Sequence, residues 1–166
     1  MKKTIGIDIG GTKICAAIIQ DGQIISEIRC IKTPKTSNEI LNAIFKEIEE
    51  LKSLDKANFV GIATAGAVDI TNSKVIGSTG NLPDGYNKLN FKEEIENKFG
   101  LKTFIENDAN AAAYAEYKIG AAKGHKNTIT VTLGTGIGGG VIVNGELLRG
   151  KSGAAAEIGH MQLSWR

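Results

Sequence analysis

The sequence predicts an α/β protein with a mixed sheet, and three observations support this fold class. Strand-forming runs broken by glycines occur near residue 4 and again near residue 128. Apolar residues recur at helical spacing after Thr36, which indicates an amphipathic helix. The continuous apolar run at residues 58–63 is typical of a strand buried in a parallel sheet. Antiparallel hairpins combined with a parallel strand make the predicted sheet mixed.

The composition excludes several classes of partner. A chain of 166 residues that is 42% hydrophobic can bury a real core. The net charge of +2 and the interspersed charges argue against nucleic acid or an anionic membrane as a partner. No apolar run reaches the roughly 18 residues of a membrane-spanning helix. Cys15 and Cys30 lie in predicted strands and are expected to be buried apolar positions in a reducing compartment, so a cytoplasmic location is predicted.

The first predicted elements form an antiparallel meander. Strands are expected at residues 4–9, 14–20 and 23–30, with a tight Asp-Gly turn between the second and third. Asp8 is unusual because it is a carboxylate within an apolar strand, next to the glycine turn at residues 10–13. It is interpreted either as a turn-capping residue or as the carboxylate beside Mg²⁺ at a phosphate-binding turn.

The middle of the chain alternates helices and strands. Thr36 and Glu39 form a capping box for the amphipathic helix, and residues 81–85 form a loop with strong turn chemistry. Asn90 is expected to begin a second helix that stops at Gly100, before a strand at residues 102–106.

An alanine-rich helix follows this strand, and Asn107 and Asp108 stand at its start. One interpretation is that Asn107 or Asp108 is simply the N-cap. The other is that the strand delivers Asp108 to the carboxyl edge of the sheet, where open α/β sheets bind ligands. There an aspartate can accept a proton from a substrate hydroxyl.

The run at residues 134–140 contains five glycines and lies between two predicted strands. Glycines without a Cβ let a polyanion approach the backbone N–H groups, so a phosphate-binding turn is predicted. The spacing also fits the dinucleotide fingerprint, but that motif leads from a strand into a helix. It fits the protein-kinase glycine loop as well, yet the other kinase motifs are missing from the sequence. A glycine-rich hairpin without a ligand is the remaining alternative.

Both ends of the chain repeat one pattern of strand, glycine turn, strand, Asn/Asp-Gly turn and strand. Two such turns facing one another would hold a nucleotide phosphate chain. The first copy is followed by enough residues to complete a lobe, whereas the second is followed by few. We therefore expect unpaired strand edges, exposed apolar faces and weaker protection after residue 127.

Taken together, these residues resemble the ROK (repressor, open reading frame, kinase) family of sugar kinases. The resemblance covers essentially the whole chain and rests on residues 8–13, 66–69, 81–83, 106–110 and 133–160. It implies an actin-like ATPase fold of the ribonuclease H type. Residues 1–120 would form the amino-terminal lobe, and residues 121–166 the first hairpin of an incomplete second lobe.

The resemblance implies ATP-dependent phosphorylation of a hexose or N-acetylhexosamine, with glucose and N-acetylmannosamine as the leading candidates. Asp108 would be the general base on the sugar hydroxyl. The residues implied to contact the sugar are Gly66, Asn81, Asn107, Asp108, Glu157 and His160. The residues implied to face ATP and its Mg²⁺ are Asp8, Gly10, Gly11, Thr12, Lys13, Gly134, Thr135, Gly136 and Gly138.

One departure from the family concerns zinc. In the family, the residue matching His160 also begins a zinc site completed by three downstream cysteines, and these cysteines have no counterpart here. Since a structural zinc site takes four ligands, no protein-held metal is expected.

Two other functions stay open alongside the kinase. One is a sugar-binding fragment without turnover. The other is a ROK-type transcriptional regulator lacking its DNA-binding domain, although the intact residues 8–13 favour the kinase. A homodimer is an expected assembly of family members.

Overall fold

The computed structural model of the protein describes residues 2–71, 73–77, 80–162 and 164. Its strands and helices are, in chain order, β1 (Lys3–Ile9), β2 (Lys13–Gln20), β3 (Gln23–Ile24), β4 (Arg29–Lys32), α1 (Ser37–Leu54), β5 (Phe59–Thr64), β6 (Ala67–Val68), β7 (Val75–Gly77), α2 (Phe91–Phe99), β8 (Lys102–Asn107), α3 (Asp108–Ile119), β9 (Thr128–Leu133), β10 (Ile137–Val143) and β11 (Glu146–Leu147). Short 3₁₀ helices occur at Tyr86–Lys88 and Ile158–His160. The chain divides into two units, Met1–Asp108 and Ala109–Arg166. The lobe boundary predicted after residue 120 coincides with the end of α3, and it stays a prediction about the complete protein.

The first unit is built on a mixed sheet, as predicted. Its strand order is β3-β2-β1-β5-β8, with β4 also paired to β2. The pairs that β1 makes with β5 and β5 with β8 are parallel, and the pairs involving β2 are antiparallel. The carboxyl ends of β1, β5 and β8 therefore meet at one edge, which brings Ile9, Thr64 and Asn107 into register.

Helices α1 and α2 of the first unit begin where the sequence predicted, and α2 also ends there. The Thr36 hydroxyl accepts the Glu39 N–H at 3.3 Å and caps α1. Asn90 caps α2, and Gly100 ends it with a left-handed backbone at φ 65°. The fully buried face of α1 joins the strands in one core: Ile40, Ile44, Ile48 and Leu51.

The prediction of one continuous third strand at residues 23–30 is wrong. The chain leaves the ladder after Ile24 and rejoins β2 only at Arg29. The Ser26 hydroxyl oxygen accepts the Ile18 N–H at 2.9 Å, so a side chain replaces the backbone partner at this bend. Local serine hydroxyls compete with sheet ladders in this way.

The cysteines also differ from expectation, because Cys15 and Cys30 form a disulfide. The prediction of two separate buried apolar positions is therefore wrong, and Cys30 is exposed. The cause is the register of β2 and β4, which places the two residues directly opposite each other. Residues opposite each other in an antiparallel pair are among the closest in a sheet.

A hairpin of β6 and β7 follows β5 and is closed by Asp69. The Asp69 carboxylate accepts the N–H groups of Ser73 and Lys74 at 2.7 and 3.0 Å, and also the Thr71 hydroxyl. Desolvation alone would raise the pKa of Asp69, but these hydrogen bonds more than offset it and lower the pKa to about 2. The hairpin thereby brings Gly77 beside Gly66.

The second unit contains a three-stranded antiparallel sheet of order β11-β10-β9. Asn144 and Gly145, at φ 53° and 86°, form the predicted tight turn between β10 and β11. Helix α3 packs closely on β10, because a Cβ on Gly140 would lie 2.4 Å from the Ala113 Cβ. The other face of the sheet is apolar and exposed, with Leu133 at 81% and Ile129 at 69% exposure. Exposed apolar residues were predicted for this part of the chain.

Across the described residues, no helix combines the length and the apolar character needed to cross a bilayer.

Candidate functional site

The first glycine turn joins β1 to β2 and is held from its carbonyl side. The Gly10 N–H donates to the Lys13 carbonyl at 3.0 Å and closes the turn. Thr33 binds the turn twice, with its hydroxyl donating to the Gly10 carbonyl at 2.6 Å and its N–H to the Thr12 carbonyl at 3.0 Å. The Gly11 and Thr12 N–H groups donate to no acceptor in the part of the chain that the structure describes. The turn therefore offers two backbone donors to an anion.

Asn81 lies directly against this turn. A Cβ on Gly11 would come within 2.8 Å of the Asn81 Cβ, so the close approach requires glycine. The next residue, Leu82, is buried in the core and anchors the loop, while Asn81 itself is exposed. A residue predicted to contact the sugar is thus adjacent to a residue predicted to face the phosphate.

Asp8 lies one residue before the end of β1, beside the first glycine turn. The residue is exposed, although nearby protein atoms partly desolvate its carboxylate. This desolvation raises the pKa of Asp8, the negative charge of Asp108 raises it further, and Lys13 acts in the opposite direction. The Asp108 carboxylate is therefore close enough to Asp8 to raise the pKa of Asp8 by charge repulsion.

Asn107 and Asp108 follow at the carboxyl end of β8. One amide hydrogen of Asn107 goes to the Gly66 carbonyl at 3.1 Å, and the other to the Asp108 carboxylate at 3.1 Å. Asn107 ends β8 and Asp108 is the first residue of α3, so Asp108 is helical rather than an N-cap outside the helix. Its side chain is exposed. The arrangement presents an oriented carboxylate to a ligand at the edge of the sheet.

Gly66 completes this group for a steric reason. Its φ is +95°, and a Cβ there would lie 2.3 Å from the Gly77 carbonyl oxygen. The backbone can take this shape only with glycine. Its carbonyl is the group that accepts from Asn107.

The second glycine turn joins β9 to β10 and, like the first, is closed by the N–H of its first glycine. The Gly134 N–H closes it by donating to the Gly136 carbonyl at 2.9 Å. The following N–H groups, of Thr135 and Gly136, donate to no acceptor within the described residues. No heavy atom outside the immediate chain neighbours lies within 4 Å of a Cβ built on Gly134 or Gly136. The space beside these two glycines is therefore open.

Gly138 differs from Gly134 and Gly136, the other two glycines of this run that are predicted to bind phosphate. It lies within β10, and a Cβ on it would lie 2.5 Å from the Thr132 hydroxyl oxygen and 2.8 Å from the Ala109 Cβ. Gly140, two residues further along β10, is equally crowded, because a Cβ on it would lie 2.4 Å from the Ala113 Cβ. The glycine run is therefore part open turn and part close-packed strand, and a phosphate contact at Gly138 stays a prediction.

Glu157 and His160 lie in the second unit, at its last 3₁₀ helix. The segment packs on β10, because a Cβ on Gly159 would lie 2.2 Å from the Ile137 carbonyl oxygen. The Glu157 carboxylate and the His160 imidazole are 3.9 Å apart, and the His160 side chain is 85% exposed. Both side chains are therefore available to a ligand.

The described residues contain no group of three or more His, Cys, Asp or Glu that could hold a metal ion. Cys15 is bonded to Cys30 and lies opposite Asp8 in the sheet. The exposed Asp8 carboxylate, beside a turn with backbone donors, suits Mg²⁺ that arrives on a nucleotide, since Mg²⁺ commonly binds through one or two carboxylates plus phosphates.

Sequence reasoning missed three residues around the site: Thr33, Thr64 and Tyr86. All three are buried, with exposures of 8%, 0% and 0%. Thr33 holds the first glycine turn, and the Tyr86 hydroxyl lies 2.7 Å from the Thr64 hydroxyl. The one signal in the sequence was Tyr86 itself, an aromatic residue directly after the polar turn Pro83-Asp84-Gly85.

Comparison with known proteins gives consistent results. A model described as the ROK family matches residues 4–166. The glucokinase of Streptomyces coelicolor is 43% identical over 164 residues, which cover 98% of this chain and 50% of that protein. The N-acetylmannosamine kinase of Vibrio cholerae is 37% identical over 166 residues, covering 98% of this chain and 55% of that protein.

Solved structures agree. The crystal structure of a ROK family glucokinase from Streptomyces griseus in complex with glucose and AMPPNP matches with a TM-score of 0.88 and 40% identity. The match covers 98% of this chain and 51% of that one. The chain thus spans about half the length of the relatives it matches.

Proposed function

The chain belongs to the ROK family and has its actin-like ATPase fold, and from that premise we propose that it provides the catalytic half of an ATP-dependent sugar kinase. The substrate is a hexose or N-acetylhexosamine, with glucose and N-acetylmannosamine as the first candidates because relatives carry those names. The observation that carries the proposal is the Asp108 carboxylate, held by Asn107 and close to Asp8.

In the proposed reaction, a sugar hydroxyl attacks the γ-phosphorus of ATP. The new oxygen–phosphorus bond forms as the bond to the β-phosphate oxygen breaks, and ADP leaves. Asp108 accepts the hydroxyl proton as the attack proceeds. Catalysis of this type depends mainly on positioning and charge stabilisation.

The remaining residues bind and orient the substrates. Gly66, Asn81 and Asn107 contact the sugar, as do Glu157 and His160. The N–H groups of the first glycine turn face the transferred phosphoryl group, with Lys13 beside them. Asp8 would help to hold the Mg²⁺ that the nucleotide brings, and this ion would neutralise phosphate charge. The turn at residues 134–136, with Gly138, holds the nucleotide phosphates.

The first test is ADP formation by the 166-residue chain with ATP, Mg²⁺ and either glucose or N-acetylmannosamine. We expect formation that depends on one of the sugars. If the chain forms no ADP, the same assay is run on a chimera in which the second half of a related ROK glucokinase follows Arg166. Absence of sugar-dependent ADP formation with both proteins would overturn the kinase proposal.

Asp108→Asn is expected to fold normally and to lose sugar-dependent ADP formation by about 10²–10⁴-fold, the usual contribution of a general base. The measurement is kcat together with a thermal unfolding curve. Asp21→Asn is the matched control, because Asp21 lies in the β2–β3 turn and its positive φ of 52° also suits asparagine. Wild-type turnover by Asp108→Asn would show that another group takes the proton.

The second candidate function is sugar binding without turnover, favoured by the chain spanning about half of its relatives. Calorimetric titration with glucose separates the two. Binding by the 166-residue chain together with silence in the kinase assay would support the binding function for this polypeptide.

A further inference from the structure

Tyr86 and Thr64 form a buried polar pair beneath the site. Both residues have 0% exposure, and their hydroxyl oxygens are 2.7 Å apart. The Tyr86 ring also packs against Phe91, with ring centroids 5.3 Å apart. Burial removes both hydroxyls from water, so the bond between them has to replace their hydration.

The direction of this bond follows from the number of protons. The Thr64 hydroxyl donates its single proton to the Ala65 carbonyl at 3.1 Å. Tyr86 is therefore the donor and Thr64 the acceptor. Burial raises the pKa of Tyr86, which keeps the phenol protonated and able to donate.

Thr64 lies where the strand meets the site. It is the last residue of β5 and is in register with Asn107 on β8. The peptide that its hydroxyl binds, Ala65–Gly66, leads to the Gly66 carbonyl that accepts from Asn107. Asn107 in turn donates to Asp108. Hydrogen bonds and one short piece of backbone thus connect Tyr86 to the Asp108 carboxylate.

We propose that Tyr86 is a positioning residue for Asp108. Through Thr64 it fixes the turn at residues 65–66, and the fixed Gly66 carbonyl sets the direction of the Asn107 amide that orients the carboxylate. Tyr86 itself touches no substrate. The catalytic part of this proposal rests on the proposed role of Asp108, whereas the structural part does not.

The structural part is tested on the 166-residue chain without any substrate. The probe is the side-chain amide of Asn107, observed by ¹⁵N NMR. We expect Tyr86→Phe and Thr64→Val to speed hydrogen exchange of this amide by about tenfold, because a buried partner is lost and the turn loosens. Thr64→Ser keeps the hydroxyl and is expected to leave the exchange rate unchanged. An unchanged rate in both Tyr86→Phe and Thr64→Val would overturn the proposal.

The catalytic part is tested in whichever form of the protein turns over. Tyr86→Phe is expected to lower kcat by about tenfold with KM values within about twofold, since misorientation of the base affects the transition state more than binding. Thr64→Val should give the same loss, and the double variant no further loss, because both act through one connection. Thr64→Ser should retain wild-type kcat.

Two controls separate positioning from general destabilisation. Tyr114→Phe removes a hydroxyl from an exposed tyrosine on α3 and should change nothing. Thermal unfolding of each variant shows that the protein is folded at the assay temperature. A rise in KM with unchanged kcat would overturn the catalytic part. If the wild type phosphorylates no sugar, the proposed function fails, and the NMR result decides the positioning separately.

Discussion

At the scale of single residues, Gly66 is a position where two separate constraints exclude any side chain. Its left-handed backbone, at φ +95°, is unfavourable for other residues, and the Gly77 carbonyl fills the space of a Cβ. Both restrictions arise from the turn that directs the Gly66 carbonyl to Asn107. The geometry at the Asp108 carboxylate therefore depends on a residue without a side chain.

Gly66→Ala is expected to destabilise the protein by more than about 3 kcal/mol, because a backbone carbonyl would have to move as well as a dihedral angle. Gly100→Ala is the matched control. Gly100 has a similar positive φ of 65°, but nothing lies within 4 Å of a built Cβ. It should therefore cost only about 1–2 kcal/mol, the conformational part. Urea unfolding measures both, and equal losses would show that the contact with Gly77 is unimportant.

At the scale of elements, the hairpin of β9 and β10 contains two kinds of glycine. Gly134 and Gly136 lie in open space, whereas Gly138 and Gly140 are covered by α3 and by neighbouring strand atoms. The turn glycines permit approach from outside, and the strand glycines permit the approach of a helix.

Alanine substitution should separate these two kinds. Gly140→Ala is expected to destabilise the second unit by about 1–3 kcal/mol through overpacking against Ala113 and Ala109. Gly134→Ala should change stability by less than about 0.5 kcal/mol, as for open surface positions. Thermal unfolding of the two variants side by side checks this. A larger loss for Gly134→Ala would show that the turn, rather than the packed strand, carries the stability.

The elements that sequence reasoning predicted well are those determined within a few residues. Thr36 with Glu39, Asn90 with Gly100, and the Asn144-Gly145 turn all act through neighbours close in the chain. The bend at Ser26 and the Cys15–Cys30 bond were missed because their partners are eight and fifteen residues away. A pattern of residues does not give the register that brings such partners together.

The same distinction applies to the candidate site. Asp8, the glycine turns and Asn107–Asp108 could be identified because their residue types are unusual for their local pattern. Thr33, Thr64 and Tyr86 are ordinary in sequence, and their importance arises from what folding places beside them. The residues predicted to contact a ligand therefore left a local signal in the sequence, whereas the residues that support them in the fold left little.

At the scale of the whole molecule, the two units differ in how their sheets are covered. In the first, β1 has paired strands on both sides and a core that includes α1 and α2. In the second, one face of β9 and β10 is apolar and exposed, including Val131 and Ile137. Burial of apolar surface is the main source of stability, so the units should differ in stability.

Amide hydrogen exchange is expected to be at least about tenfold faster in β9 than in β8. Both are edge strands of their sheets in the described chain, so the comparison isolates the effect of coverage. Ile105 of β8 is fully buried, whereas Ile129 of β9 is 69% exposed. Equal protection in the two strands would show that the second unit is as stable as the first.

The two glycine turns have a further consequence for how this protein can be altered. The donors that they expose are peptide N–H groups of Gly11, Thr12, Thr135 and Gly136. A mutational scan that replaces side chains leaves all four donors in place. It would therefore underestimate the contribution of the turns to anion binding. Chemical synthesis that replaces one peptide link by an ester deletes a single N–H and leaves the side chain intact. Because the donors belong to the backbone, we expect a substitution at Thr12 or Thr135 to disturb them less than a change in loop length.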